Sequence, residues 1–191
     1  MPNESRTADS LADYLADPRT ILPEPADAQQ AAERAAALYE RSSRQYEQGL
    51  STSIGATFNL YFDDMSGQPY YAVALYSDLV PDPDLGKNAD IRVLRSLIVQ
   101  NWELLLDPRN NIGLWYDDKD DLLYLDISAA MPDKSEAVRL GERYNEKEGF
   151  DLERGEPFPI GGTGIPTEGL PPPAERLPSL VRKGSSGESY E

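Results

Sequence analysis

A chain of 191 residues with 18 basic against 34 acidic residues carries a formal charge of −16, which repels phosphate backbones and anionic lipid and argues against direct nucleic-acid or membrane binding. It has no cysteine, which rules out disulfides, thiolate metal sites and cysteine nucleophiles, and no histidine, which removes the commonest general base and transition-metal ligand. No apolar run approaches the roughly 18 residues of a membrane span, and Met1-Pro2-Asn3-Glu4-Ser5-Arg6 lacks the basic-then-apolar layout of a secretory leader, so a cytoplasmic protein is expected.

Residues 1–25 read as an N-terminal arm in which Leu11, Tyr14 and Leu15 mark a short amphipathic helix ending before Pro18. Residues 26–50 are rich in strong helix formers, with Ala28, Ala32, Ala35, Tyr39, Tyr46 and Leu50 along one stripe, and predict a long helix. A stripe made mostly of alanine lets a helix lie close to another surface. It suits packing on its own domain, and it also permits a homo-oligomer through paired helices.

Residues 51–160 read as an α+β core organised by an internal repeat. Leu60-Tyr61-Phe62-Asp63-Asp64 returns as Leu114-Trp115-Tyr116-Asp117-Asp118, and each phrase is followed by a polar loop, a second apolar run and a Pro-Asp pair. In the first copy, 53–106, alternation from Ile54 to Phe62 predicts a strand, Met65 to Pro69 a turn, and Tyr70 to Leu79 a returning strand that closes a hairpin with the first. Asp82, Asp84 and Asp90 then place negative charge at the start of a helix from Asn88 to Leu106, with Ile91, Leu94, Ile98, Trp102 and Leu105 facing the core and Pro108 as its stop.

The second copy, 111–148, repeats the plan. Ile112, Leu114 and Tyr116 alternate in one strand, and Leu123, Leu125 and Ile127 in the next. Asp133 to Glu136 matches a capping box, and Ala137, Leu140, Gly141 and Tyr144 line the helix that follows. Phe150-Asp151-Leu152 suggests a short fifth strand. The expected architecture is a duplicated ββα unit, ββαββα plus that strand, with a mostly antiparallel sheet and helices on one face. From Pro157 onward come seven prolines and six glycines in 35 residues, so 161–191 is expected to be a disordered or extended tail with a faint apolar cluster at Leu177, Leu180 and Val181.

Chemistry is less legible. The densest ionisable cluster is Asp117-Asp118-Lys119-Asp120-Asp121, within a block (111–156) holding 13 acids and 6 bases. Carboxylate oxygens suit hard cations, but an EF-hand's sixth-position glycine and closing glutamate are missing, so the turn reads as solvated and no metal or other cofactor is expected. Gly161-Gly162-Thr163-Gly164 lacks the strand-to-helix context of a phosphate loop and reads as a flexible exit from the domain. Alternation turns Tyr61 and Trp115 outward, opposite Leu60 and Leu114.

Gly113-Leu114-Trp115-Tyr116-Asp117, Tyr124-Leu125-Asp126-Ile127-Ser128, Glu136-Ala137, Asn145, Phe150-Asp151-Leu152 and Gly161-Gly162-Thr163-Gly164 together resemble a group of small proteins of no assigned activity encoded by bacteriophages and integrated elements. Where such relatives carry Asn-Gln-x-Ala-Ile, this chain has Asn145-Glu146-Lys147-Glu148-Gly149. The resemblance implies a phage or mobile-element accessory protein, in the host cytoplasm or the virion.

With no catalytic spacing in view, the chain reads as a non-enzymatic, acidic protein-interaction module with Asp117, Asp118, Asp120, Asp121, Asp126, Tyr61 and Trp115 as partner-binding candidates. One alternative is a DNA mimic inhibiting a host nucleic-acid-binding protein, whose rigid acids would be these aspartates with Asp63 and Asp64. Another is a carboxylate or metal-dependent enzyme.

Overall fold

The computed structural model describes residues 5–80 and 88–180. It is an α+β protein whose centre is a seven-stranded, wholly antiparallel sheet. The chain enters through β1 (Arg6–Thr7), α1 (Leu11–Ala16) and β2 (Thr20–Ile21), where β1 and β2 pair in parallel. The long helix α2 spans Ala28–Glu47, capped by Asp27, whose side chain accepts from the backbone N–H of Gln29 and Gln30. Then follow β3 (Gly55–Asn59), β4 (Asp63–Asp64), β5 (Tyr71–Ala74), α3 (Ile91–Gln100), α4 (Trp102–Leu105), β6 (Asn110–Asp117), β7 (Leu122–Met131), α5 (Lys134–Arg143), β8 (Glu148–Asp151) and β9 (Glu156–Pro159).

The strand order is β4-β3-β6-β7-β5-β8-β9. The second hairpin forms as the sequence indicates, with Ile112 opposite Ile127 and Leu114 opposite Leu125. The expected first hairpin does not form. β3 pairs with β6 and with the short β4, while β5 pairs with β7 and β8, so the whole β6–β7 hairpin lies between the two runs that were expected to close on each other. Alternation sets which face of a strand is buried and says nothing about which strand lies beside it.

β7 shows how the two faces divide. Ile127, Ala129 and Met131 enter the main core with Phe58, Val73, Ile112 and Leu114, under Ala31, Ala32, Ala35 and Tyr39 of α2, Leu94 and Ile98 of α3, and Ala137 and Leu140 of α5. Ala130, between them in sequence, points the other way and joins Leu11, Met65, Tyr70, Ala72 and Leu152. Helices therefore cover both faces: α1 closes the second one, against the expectation of a single helical layer.

Other expectations are refined. The alanine stripe of α2 is consumed inside the chain, with Ala31, Ala32 and Ala35 inaccessible, so pairing two copies through it would require unpacking the core. The large apolar side chains left exposed here are Tyr46, in its last turn, and Leu50, just beyond it. The single helix expected over 88–106 is two, since Asn101 caps α3 and then opens α4. Asp90 caps α3 through the Arg92 N–H, while Asp82 and Asp84 lie outside the described residues. Trp102 is half-buried against the core and not within it. β9 was not foreseen, because its Glu156-Pro157-Phe158-Pro159 offers two prolines, which an edge strand tolerates. Residues 161–180 run through bends and turns with a single turn of 3-10 helix at Pro173–Glu175, and they are not detached, for Arg176 is buried against the domain. Val181 lies outside the described residues. Among the described residues no helix is long and apolar enough to cross a membrane.

Candidate functional site: the acidic hairpin and two buried carboxylates

The site begins with the register of β6 and β7. Trp115 faces Tyr124 across the pair, and Gly113 faces Asp126 one row further in on the same face. Trp115 and Tyr124 stack with ring centroids 4.5 Å apart and planes 13° from parallel, and Trp115 is still 44% exposed. An exposed tryptophan held flat on a tyrosine offers a large, rigid face at small entropic cost on binding.

The loop beyond the pair is stiffened by its own side chains. The Tyr116 hydroxyl donates to Asp121 Oδ1 at 2.6 Å, the Tyr124 hydroxyl to Asp120 Oδ2 at 3.2 Å, and the Lys119 N–H to Asp117 Oδ1 at 2.9 Å. Asp121 takes the left-handed conformation (φ 56°), which aspartate tolerates better than most residues. The hydrogen bond to Asp121, then burial and the charges of Asp121 and Asp118, push the Tyr116 phenol up to about 12. Tyr124 is raised by burial first and then by its bond to Asp120. Both phenols therefore stay protonated and keep donating at neutral pH.

The equivalent acids of the first copy are spent. Arg34 of α2 donates to Asp63 at 2.9 Å, and Arg41, about two helical turns further on, pairs with Asp64. These two do not contribute free negative charge as the mimic reading required. Tyr61 is likewise engaged: it is half-buried and its hydroxyl donates to the Leu106 carbonyl at 2.9 Å. It follows Asn59, whereas the register places Gly55, the other end of β3, beside Trp115, so Tyr61 stands away from the hairpin tip.

Asp126 is withdrawn from the surface that was expected of it. The residue is half-buried, but its Oδ1 is inaccessible and accepts no hydrogen bond from the described residues. Gly113 makes the room: a Cβ there would lie 2.5 Å from Oδ1 and 2.6 Å from Oδ2. Burial lifts the Asp126 carboxyl to about 6, against the opposing help of the Ser128 hydroxyl. Glu146, after α5, is lifted further, to about 8, by burial and then by the charge of Asp126. Glu146 has no distinguishing spacing in the sequence; parity puts Tyr124 and Asp126 on one face of β7, and grouping them with Trp115 needs the register of the folded hairpin.

The glycine segment is neither a flexible exit nor an anion cradle. Asn145 (φ 59°) clasps it, its Nδ2 donating to Thr163 Oγ1 and the Ile165 carbonyl and its Oδ1 accepting from the Thr163 N–H. The N–H groups of Gly161, Gly162 and Gly164 donate to the carbonyls of Lys147, Glu146 and Asn145. All four N–H groups that a phosphate would need are thus occupied. Among the described residues no group of three or more acidic side chains is placed to hold a metal ion. Comparison with family models, with curated proteins and with solved structures finds no match.

Proposed function

We propose that this chain is a non-enzymatic interaction module that docks on a basic protein surface through the tip of the β6–β7 hairpin. The observation that carries the reading is the Trp115–Tyr124 stack, exposed beside Asp117, Asp118, Asp120 and Asp121, with Lys119 as the single base in that loop. Aromatic anchors with a charged rim are the usual composition of an interface hot spot. The resemblance to phage and integrated-element proteins favours an accessory role in a host cell or virion, with a host or phage protein as partner. A duplicated ββα ancestry, suggested by the repeated Leu60 and Leu114 phrases, fits such a small scaffold.

A specific observation also favours the mimic variant of this reading. Imitation of DNA needs carboxylates at fixed spacing, and Asp117, Asp120 and Asp121 are each tied by a hydrogen bond within the hairpin. The candidates in that variant reduce to the loop, because Asp63, Asp64 and Asp126 are paired or buried.

The test uses a partner captured from host lysate and then purified. Trp115→Ala is expected to weaken binding about thirtyfold, the size of a hot-spot loss. Changing Asp117, Asp118, Asp120 and Asp121 together to Asn should lower both affinity and its salt dependence, because salt screens those same charges. A control with Glu33, Glu40 and Glu47 of α2 changed to Gln should leave both nearly unchanged. Loss of binding in the control but not in the hairpin variants would sink this reading.

A further inference from the structure

The tail presents a different surface. Residues 171–178, Pro171-Pro172-Pro173-Ala174-Glu175-Arg176-Leu177-Pro178, lie against the domain through contacts that read a sequence and not merely a greasy strip. The Arg176 guanidinium is the centre. Its Nη2 donates to Asp78 Oδ2 at 2.7 Å, its Nη1 to the other oxygen of that carboxylate and to the Leu75 carbonyl at 2.9 Å, and its Nε to the Pro171 carbonyl at 3.0 Å. The same group lies over the Tyr76 ring, 5.6 Å from its centroid, and is 3% exposed. The peptide backbone is held on either side of it: the Tyr144 hydroxyl donates to the Arg176 carbonyl at 3.2 Å, and Arg109 Nη1 to the Pro178 carbonyl at 2.8 Å. Arg109 is itself aimed by a two-pronged bond to Asp107.

We propose that the surface formed by Leu75, Tyr76, Asp78, Tyr144 and Arg109 is a recognition site for an arginine-bearing, proline-rich peptide, occupied in cis by residues 171–178. A partner protein carrying such a segment is the occupant it fits in trans. Three features distinguish this from ordinary packing of a tail. The planar arginine fork is matched by a carboxylate, a carbonyl and an aromatic face, the combination that discriminates arginine from lysine. The prolines preset the backbone around the arginine, Pro172 extended at φ −49° and ψ 144° and Pro173 opening the 3-10 turn that leads into Arg176, which lowers the entropy lost on docking. Asp78 and the prolines stand at the surface, while residues 166–169 between the Asn145 clasp and the docked segment are all exposed. The segment pairs with no strand, so it can leave with the sheet intact, uncovering one side of Tyr76 and Tyr144. In the intact chain the tether holds its own ligand at an effective concentration of order millimolar, so a competing segment binds weakly until the tail is released.

A labelled synthetic peptide with the sequence of residues 170–180 is titrated against three full-length chains. In Arg176→Ala the tail loses its anchor and the site stays complete, so the peptide should bind saturably. It should bind at least tenfold more weakly to the wild type, whose own tail competes, and to Asp78→Asn, whose site has lost its carboxylate. The same peptide with its arginine replaced by alanine should not bind any of them. A non-specific protease should cut Arg176→Ala and Asp78→Asn within 171–178 at least tenfold faster than the wild type. Equal peptide binding to all three chains, no binding to Arg176→Ala, or unchanged cleavage in both variants would each overturn the proposal. Should Arg176→Ala lose its circular dichroism signature, Arg176→Lys replaces it with the same expectations, since lysine keeps the charge and loses the fork.

Discussion

At the scale of single residues, the most consequential pair is Asp126 and Glu146, because a carboxylate largely withdrawn from water and without an ion pair among the described residues carries a pH-dependent cost. Both carboxyls are raised, to about 6 and about 8, from ordinary values of 3.8 and 4.5. A raised acid keeps its proton in the folded chain after the unfolded chain has released it. Its stabilising contribution is thus complete below the unfolded value and is lost as pH rises through the folded one. Stability should fall between about pH 4 and pH 8, opposite to a protein whose carboxylates are salt-bridged. Asp126→Asn keeps the shape and removes the charge, so it should flatten the lower part of that slope, by at most about 3 kcal/mol. Urea melts at pH 5 and pH 8 would decide it, and an unchanged slope in the variant would show that Asp126 is solvated in solution. Trp102 is judged by the same logic of burial. Half-buried, Trp102→Ala should cost less than Leu123→Ala, whose site is inaccessible and for which about 2–5 kcal/mol is expected.

At the scale of elements, what the sequence disclosed depended on how local the determining contact was. α2, the acids Asp90 and Asp133 at the starts of their helices, and the β6–β7 hairpin are written in residues within a few positions of each other and are readable in the sequence. The clasp between Asn145 and Thr163 was not, because its halves are 18 residues apart and neither has a periodic signature. The aromatic pair of the candidate site was half readable. Trp115 stood out by its repeat, and Tyr124 needed the register that only the folded hairpin supplies. The clasp makes its own prediction. Asn145 combines a left-handed backbone with three side-chain hydrogen bonds, so Asn145→Gly keeps the backbone and loses the bonds, while Asn145→Ala loses both. Alanine should therefore destabilise more than glycine here, by about 0.5–1 kcal/mol, the reverse of their order in a helix. Thermal melts of the two variants measure the difference, and equal melting points would mean that the backbone conformation is not constrained.

At the scale of the whole molecule, the sheet order ties the first repeat to the second. β3 and β5 were expected to support one another, and each instead leans on a strand of the central hairpin. β3 has its long-range partner in β6, and β5 has its own in β7 and β8. The hairpin itself closes through a loop of four residues, Asp118 to Asp121, so it is the least costly part of the sheet to form first. Its inward side chains, Ile112, Leu114, Leu123 and Ile127, are all inaccessible or nearly so. Native-state hydrogen exchange should accordingly find the slowest amides in β6 and β7, opening only with global unfolding, with β3 and β5 next and the edge strands β4 and β9 fastest. The order separates two ways of building this fold. If β3 and β5 share one opening free energy that differs from the hairpin's, the first repeat behaves as the independent unit that its sequence suggested. If β3 follows β6 and β5 follows β7, the repeat survives in the sequence while the cooperative unit runs across it.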